Sequence, residues 1–124
     1  FKQAKILAVD DIESNRNLIE AILKPLSLEV TLAKNGKEAV ELARQMEFDL
    51  ILMDIKMPKM DGYEATSIIR NWENEKEKNE TPIIALTAYA LDSDKEKILD
   101  SGFNDHLGKP IKKDDLFELI EEYI

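Results

Sequence analysis

Residues 50–62 read Leu50-Ile51-Leu52-Met53-Asp54-Ile55-Lys56-Met57-Pro58-Lys59-Met60-Asp61-Gly62, and the first four decide the fold. An apolar run this short has no polar face to offer water. It reads as a strand covered on both sides, which happens mainly in parallel sheets. Ile6-Leu7-Ala8-Val9 and Ile83-Ile84-Ala85-Leu86 have the same character. Leu28 to Leu32 alternates and reads as an edge strand, and Asp105 to Gly108 is a weaker fifth strand placed by its neighbours.

Helical spacing fills the intervals. Leu18, Ile19, Ile22, Leu23 and Leu26 form one stripe, with Ser14 as the expected N-cap. Ala39, Val40 and Ala43 mark a second helix over 36–45, and Ala65, Ile68, Ile69 and Trp72 a third from Tyr63 to about Glu77. Leu91 to Leu99 and Asp114 to Tyr123 complete the set, the last aligning Leu116, Leu119, Ile120 and Tyr123. Five strand–helix alternations predict an α/β fold, a doubly wound five-stranded parallel sheet with five helices on its two faces. The charged stretch Asn71 to Glu80 has mixed signs and reads as a solvated helix end and loop.

Composition narrows the function classes. A chain of 124 residues fits one domain, 1–124, with a real core. Seventeen Lys and Arg against 26 Asp and Glu leave a net charge of −9, which argues against binding nucleic acid or an anionic membrane. With no Cys there is no disulfide, thiolate metal site or cysteine nucleophile. No apolar run is long enough to span a membrane. The first residue is Phe1, which reads as a domain excised from a longer chain.

In an open parallel sheet, ligands bind beyond the carboxyl ends of the strands. Asp10 and Asp11 follow the first strand, Asp54 the third, Thr87 the fourth, and Lys109 and Pro110 the fifth. Each has a bland reading by itself, such as a carboxylate favouring a helix N-terminus. Jointly they bring three carboxylates, a hydroxyl and an ammonium to one rim. The excess negative charge calls for a cation, and an all-oxygen donor set predicts Mg²⁺ or Mn²⁺. Such a site suits phosphoryl transfer, with the central Asp54 as the nucleophile that becomes an aspartyl phosphate.

These residues resemble the response-regulator receiver domains of two-component signalling. The resemblance spans the chain and is carried by Val9-Asp10-Asp11, residues 52–62, Ala85-Leu86-Thr87-Ala88 and Gly108-Lys109-Pro110-Ile111. It implies a flavodoxin-like fold with strand order 2-1-3-4-5. It also implies Asp54 as phosphoacceptor, Asp11 as a direct Mg²⁺ ligand, Asp10 helping through water, and the backbone carbonyl of Lys56 completing the set. Thr87 and Lys109 are implied to bind phosphoryl oxygens, the bond before Pro110 to be cis, and Gly62 and Pro58 to shape the loop after the acceptor. Residues 104–110 and 86–91 resemble the receivers of hybrid histidine kinases most. The implied partners are a histidine kinase or histidine phosphotransfer domain, or other domains of the same chain. The implied setting is cytoplasmic, within a parent chain that can itself be membrane-anchored. Such a domain catalyses its own phosphorylation and dephosphorylation rather than turning over a separate substrate.

One position departs from that pattern. His106 stands where many members carry Tyr or Phe, so the switch expected of Thr87 and an aromatic would run through an imidazole, or not at all. Tyr89 and Leu91 are expected on the output surface with Thr87 and His106, and Leu107 and Phe117 are further candidates there. Three competing readings remain. A flavodoxin-like cofactor binder needs an amide-rich phosphate loop after the first strand, but residues 10–14 hold three carboxylates. An aspartyl-nucleophile phosphatase needs a second carboxylate near Asp54, and the residue two beyond it is Lys56. The third is a receiver-like interaction module that is never phosphorylated.

Overall fold

The computed structural model describes residues 3–88 and 92–124. Its elements alternate along the chain as β1 (Lys5–Val9), α1 (Glu13–Leu23), β2 (Glu29–Ala33), α2 (Gly36–Gln45), β3 (Leu50–Asp54), α3 (Gly62–Glu75), β4 (Ile83–Thr87), α4 (Asp92–Asp100), β5 (Asp105–Gly108) and α5 (Lys113–Tyr123). One 3₁₀ turn, Lys24–Leu26, follows α1. The five strands form a single parallel sheet ordered β2-β1-β3-β4-β5, as the resemblance implied.

Residue alternation along each strand builds two cores. Leu7, Val9, Ile51, Met53, Ile83 and Ala85 face one way and pack against Ala39, Val40, Ala65, Ile69 and Ile98 of α2, α3 and α4. Ile6, Ala8, Leu50, Leu52, Ile84 and Leu86 face the other and meet Ile19, Leu23, Leu116, Leu119 and Ile120 of α1 and α5. Every residue of β3 and β4 is buried, which is why those strands read as unbroken apolar runs. β2, at the sheet edge, stays partly exposed, in keeping with its alternation.

Three local expectations need correction. Ser14 is not the N-cap of α1. Ile12 holds that position without a side-chain bond, and Ser14 lies inside the first turn. The cap is displaced because Asp10 turns its carboxylate back to accept the Ile12 N–H at 2.9 Å. Leu18 is exposed although it belongs to the apolar stripe of α1. Glu73, inside the stretch expected to be solvated, is only 2% exposed. It continues the i, i+4 stripe of Ala65 and Ile69 into the core, and Arg70 meets it there at 2.8 Å.

Because all strands run the same way, their carboxyl ends share one edge. The sheet order reverses between β1 and β3, and the crevice at that switch point receives the loops after both strands.

Candidate functional site

Asp10 follows β1 into this crevice and is fully buried, and Asp54 ends β3 with 2% exposure. Asp11, next along the first loop, is exposed. The three offer carboxylate oxygens within 4.8 Å of one another, the one such cluster among the described residues. Lys109 enters from the end of β5, its Nζ 3.1 Å from Asp10 Oδ2 and 3.0 Å from Asp54 Oδ1. Its backbone N–H donates to the Thr87 carbonyl at 2.8 Å, tying the β5 end to the β4 end. Thr87 is itself buried at the rim, and the Lys109–Pro110 peptide bond is cis.

The two buried aspartates are held differently. Asp10 accepts from the Ile12 N–H and from Asn15 Nδ2, and Arg16 donates to its carbonyl at 2.8 Å. Sequence reading passed over Asn15 and Arg16. Their signal was their place in the first turn of a helix that starts at the crevice. Asp54 Oδ1 accepts from Lys109 and, at 3.3 Å, from the Lys56 N–H, while Oδ2 is buried with no hydrogen-bond partner. Burial pushes the Asp54 carboxyl up to about 6, with the nearby Asp10 charge adding to the rise and the Lys109 bond opposing it. Burial pulls the Lys109 ammonium down, but its bonds to Asp54 and Asp10 prevail and hold it above the ordinary lysine value.

A cavity of about 350 Å³ opens over the site, lined by Asp11, Asp54, Lys56, Thr87 and Lys109 among others. A larger concavity, about 590 Å³, lies at the opposite strand ends among Phe48, Trp72 and Thr81, away from the acidic cluster. Chemistry, not volume, marks the site. Three clustered oxygen donors, one bearing an orphaned buried atom, fit a hard divalent cation with water in its remaining positions.

The loop after β3 packs close behind Asp54. The Gly62 N–H donates to the Ile55 carbonyl at 2.8 Å. A Cβ at Gly62 would strike the Asp54 carbonyl oxygen and come within 2.9 Å of Ile55 Cα, so only glycine fits. Pro58 is exposed in that loop, and Ala88 is exposed beyond Thr87. His106 lies half-buried on β5 with Nδ1 3.7 Å from Asp105 Oδ1. Leu107 is 7% exposed in the α1–α5 core, so it is a packing residue and not part of an output surface. Phe117 is half-buried under the Lys113 ammonium. Tyr89 and Leu91 fall outside the described residues.

A parallel 2-1-3-4-5 sheet with an Asp–Asp–Asp–Lys cluster at its switch point defines a class, and the comparison with known families agrees. Residues 6–121 match the response regulator receiver domain, and the chain belongs to that family. It is 45% identical over 118 residues to the signal transduction histidine-protein kinase BarA of Escherichia coli K12, a match covering 95% of this chain and 12% of the kinase. The chain therefore spans about an eighth of that relative's length. Among solved structures, the receiver domain of sensor histidine kinase PA1611 from Pseudomonas aeruginosa PAO1 holds a magnesium ion in its active-site cleft. It superposes with a TM-score of 0.86 at 43% identity, covering 98% of this chain and 97% of that one. A chain of the co-crystal structure of Saccharomyces cerevisiae Ypd1, a histidine phosphotransfer protein, with the receiver domain of Ssk1 gives 0.92 at 35% identity, covering 99% and 90%.

Proposed function

We propose that this domain accepts a phosphoryl group on Asp54 from a phosphohistidine of a histidine kinase or phosphotransfer domain, and that the modified site switches a partner-binding surface. The observation that carries this reading is Asp54 Oδ2, a buried carboxylate oxygen without a partner at the floor of an open cavity. A structural carboxylate would have both oxygens satisfied. Magnesium in the PA1611 receiver and the pairing of Ypd1 with a receiver support the same reading by similarity.

Asp54 Oδ2 is the nucleophile. It attacks phosphorus as the P–N bond to the donor imidazole breaks, and the imidazole nitrogen keeps the electron pair and takes up a proton. Lys109, already 3.0 Å from Asp54 Oδ1, supplies an ammonium to a phosphoryl oxygen on the new aspartyl phosphate. Thr87 supplies a hydroxyl from the neighbouring strand end. Mg²⁺, or Mn²⁺ in its place, would be held by Asp11, Asp10, Asp54 and the Lys56 carbonyl. When bound, the cation supplies positive charge to the phosphoryl oxygens. Inward movement of Thr87 toward the phosphoryl group would pull on the segment that follows it in the chain, and Tyr89, Leu91 and the β5 residue His106 are the proposed readout residues. The setting proposed is a cytoplasmic part of a longer signalling chain. No described helix is long and apolar enough to cross a membrane.

Intact-mass spectrometry after incubation with acetyl phosphate, with and without Mg²⁺ and beside Asp54→Asn, tests the reading. One phosphoryl group added, dependent on metal and lost in the variant, is the expected result. Absence of any adduct, together with no spectral response to beryllofluoride, would overturn it in favour of a module that signals by binding alone.

A further inference from the structure

The acceptor cavity is also lined by a lysine that the proposed chemistry does not use. Lys97, on α4, lines the cavity together with Asp54, Thr87 and Lys109. Its Nζ sits 4.5 Å from the centre of the Tyr63 ring, within cation–π range. Tyr63 in turn meets Phe103 edge-on, with centroids 5.9 Å apart and planes at 81°. Phe103 is buried in the core between sheet and helices, so the ring that carries the ammonium is itself anchored. Among the described residues, Lys97 has no ion-pair partner. A lysine on an exposed helix face normally samples many rotamers, and this one is pre-positioned by a stack that begins in the core.

The charge around the cavity gives that position a use. Asp10, Asp11 and Asp54 against Lys109 leave two net negative charges when all are ionised, and the whole chain carries −9. A bound divalent cation brings the cluster only to neutrality, yet every phosphoryl donor arrives as an anion. A further ammonium at the cavity wall, besides those of Lys109 and Lys56, raises the local potential where the donor enters. Resting on the reading of Asp54 as phosphoacceptor, we propose that Lys97, held on the Tyr63 ring, is a donor-binding residue that recognises anionic phosphoryl donors at the mouth of the acceptor cavity.

The test compares the native chain with Lys97→Met, which keeps the aliphatic stem, with Lys97→Arg, and with Tyr63→Leu. The rate of Asp54 phosphorylation is followed against donor concentration in Mg²⁺. For acetyl phosphate, a dianion at neutral pH, Lys97→Met should raise KM roughly three- to tenfold with the limiting rate nearly unchanged. Phosphoramidate, which carries less negative charge, should lose less. The native rate should fall more steeply with added salt than that of the Met variant. Lys97→Arg should restore most of the KM, and Tyr63→Leu should give a smaller rise in the same direction. An unchanged KM, an equal loss for both donors, or no rescue by arginine would overturn the proposal while leaving Asp54 as acceptor. A native chain that takes up no phosphoryl group would overturn both readings together.

Discussion

Two carboxylates lie equally deep at opposite ends of this sheet, and they are held in opposite ways. Asp54 and Glu73 are each 2% exposed. Both Glu73 oxygens are occupied, Oε1 by the Arg70 guanidinium and Oε2 by the Thr81 N–H, each at 2.8 Å. Arg70 then reaches the carbonyls of Thr81 and Gly102 and the side chain of Asn104, whose Oδ1 also accepts the Ile83 N–H. One buried ion pair thus stitches the end of α3, the lead into β4 and the lead into β5. At the other end, Asp54 keeps one oxygen unpartnered and a carboxyl pushed up to about 6. The contrast separates a buried carboxylate whose bonds are all made from one with an oxygen left open, the one proposed to react. A satisfied carboxylate is inert, whereas an unsatisfied one beside a lysine stores the free energy of a missing interaction.

The comparison is most exposed at Arg70. Arg70→Met should leave Glu73 buried and unpaired, costing about 3–5 kcal/mol, read as a lower urea midpoint at unchanged m-value. Adding Glu73→Leu should recover much of that loss. A cost below about 1 kcal/mol would mean that water already satisfies Glu73, and the contrast would fail.

Asp54 should behave the other way. Its carboxyl titrates higher in the folded chain than in the unfolded one, so its contribution to stability is full below about pH 4 and is lost as pH rises through about 6. Metal-free Asp54→Asn should therefore be more stable than the native chain at pH 7 by about 3 kcal/mol, with the gain disappearing near pH 4. Mg²⁺ should raise the melting temperature of the native chain more than that of the variant, and removing it with EDTA should reverse the gain. A variant less stable than the native chain at pH 7 would show that Asp54 is a structural carboxylate after all.

A smaller effect sharpens the same point. Thr66 Oγ1 on α3 is buried without a partner, one helical turn before Arg70. Thr66→Val should be neutral or stabilising by up to about 1 kcal/mol, measured by thermal melting. A clear loss would place a bonded water at that hydroxyl and show that the atom is not orphaned.

Much of this was legible in the chain. Runs such as Leu50–Met53 declared buried strands because burial on both faces removes the need for any polar residue. Asp54, Asp10, Thr87 and Lys109 could be named because a parallel sheet delivers every strand end to one rim. Glu73 was misjudged because its neighbours are charged, and a charged neighbourhood in sequence says nothing about which side chain turns inward. The cap of α1 was misplaced because Asp10, four residues before Ser14, takes over local hydrogen bonding once the crevice forms. Leu107 and His106 adjoin in sequence yet differ in burial, since a strand sends successive side chains to opposite faces.

Sequence alone determined the α/β alternation, the parallel sheet and which residues lie where its strands end, because these follow from local periodicity and the direction of the strands. Only the tertiary structure decided which buried carboxylate is satisfied and which is left open. That outcome depends on Lys109 reaching Asp54 and on Thr81 and Arg70 closing around Glu73. Such contacts are made by distances across the folded sheet, and no spacing along the chain encodes them.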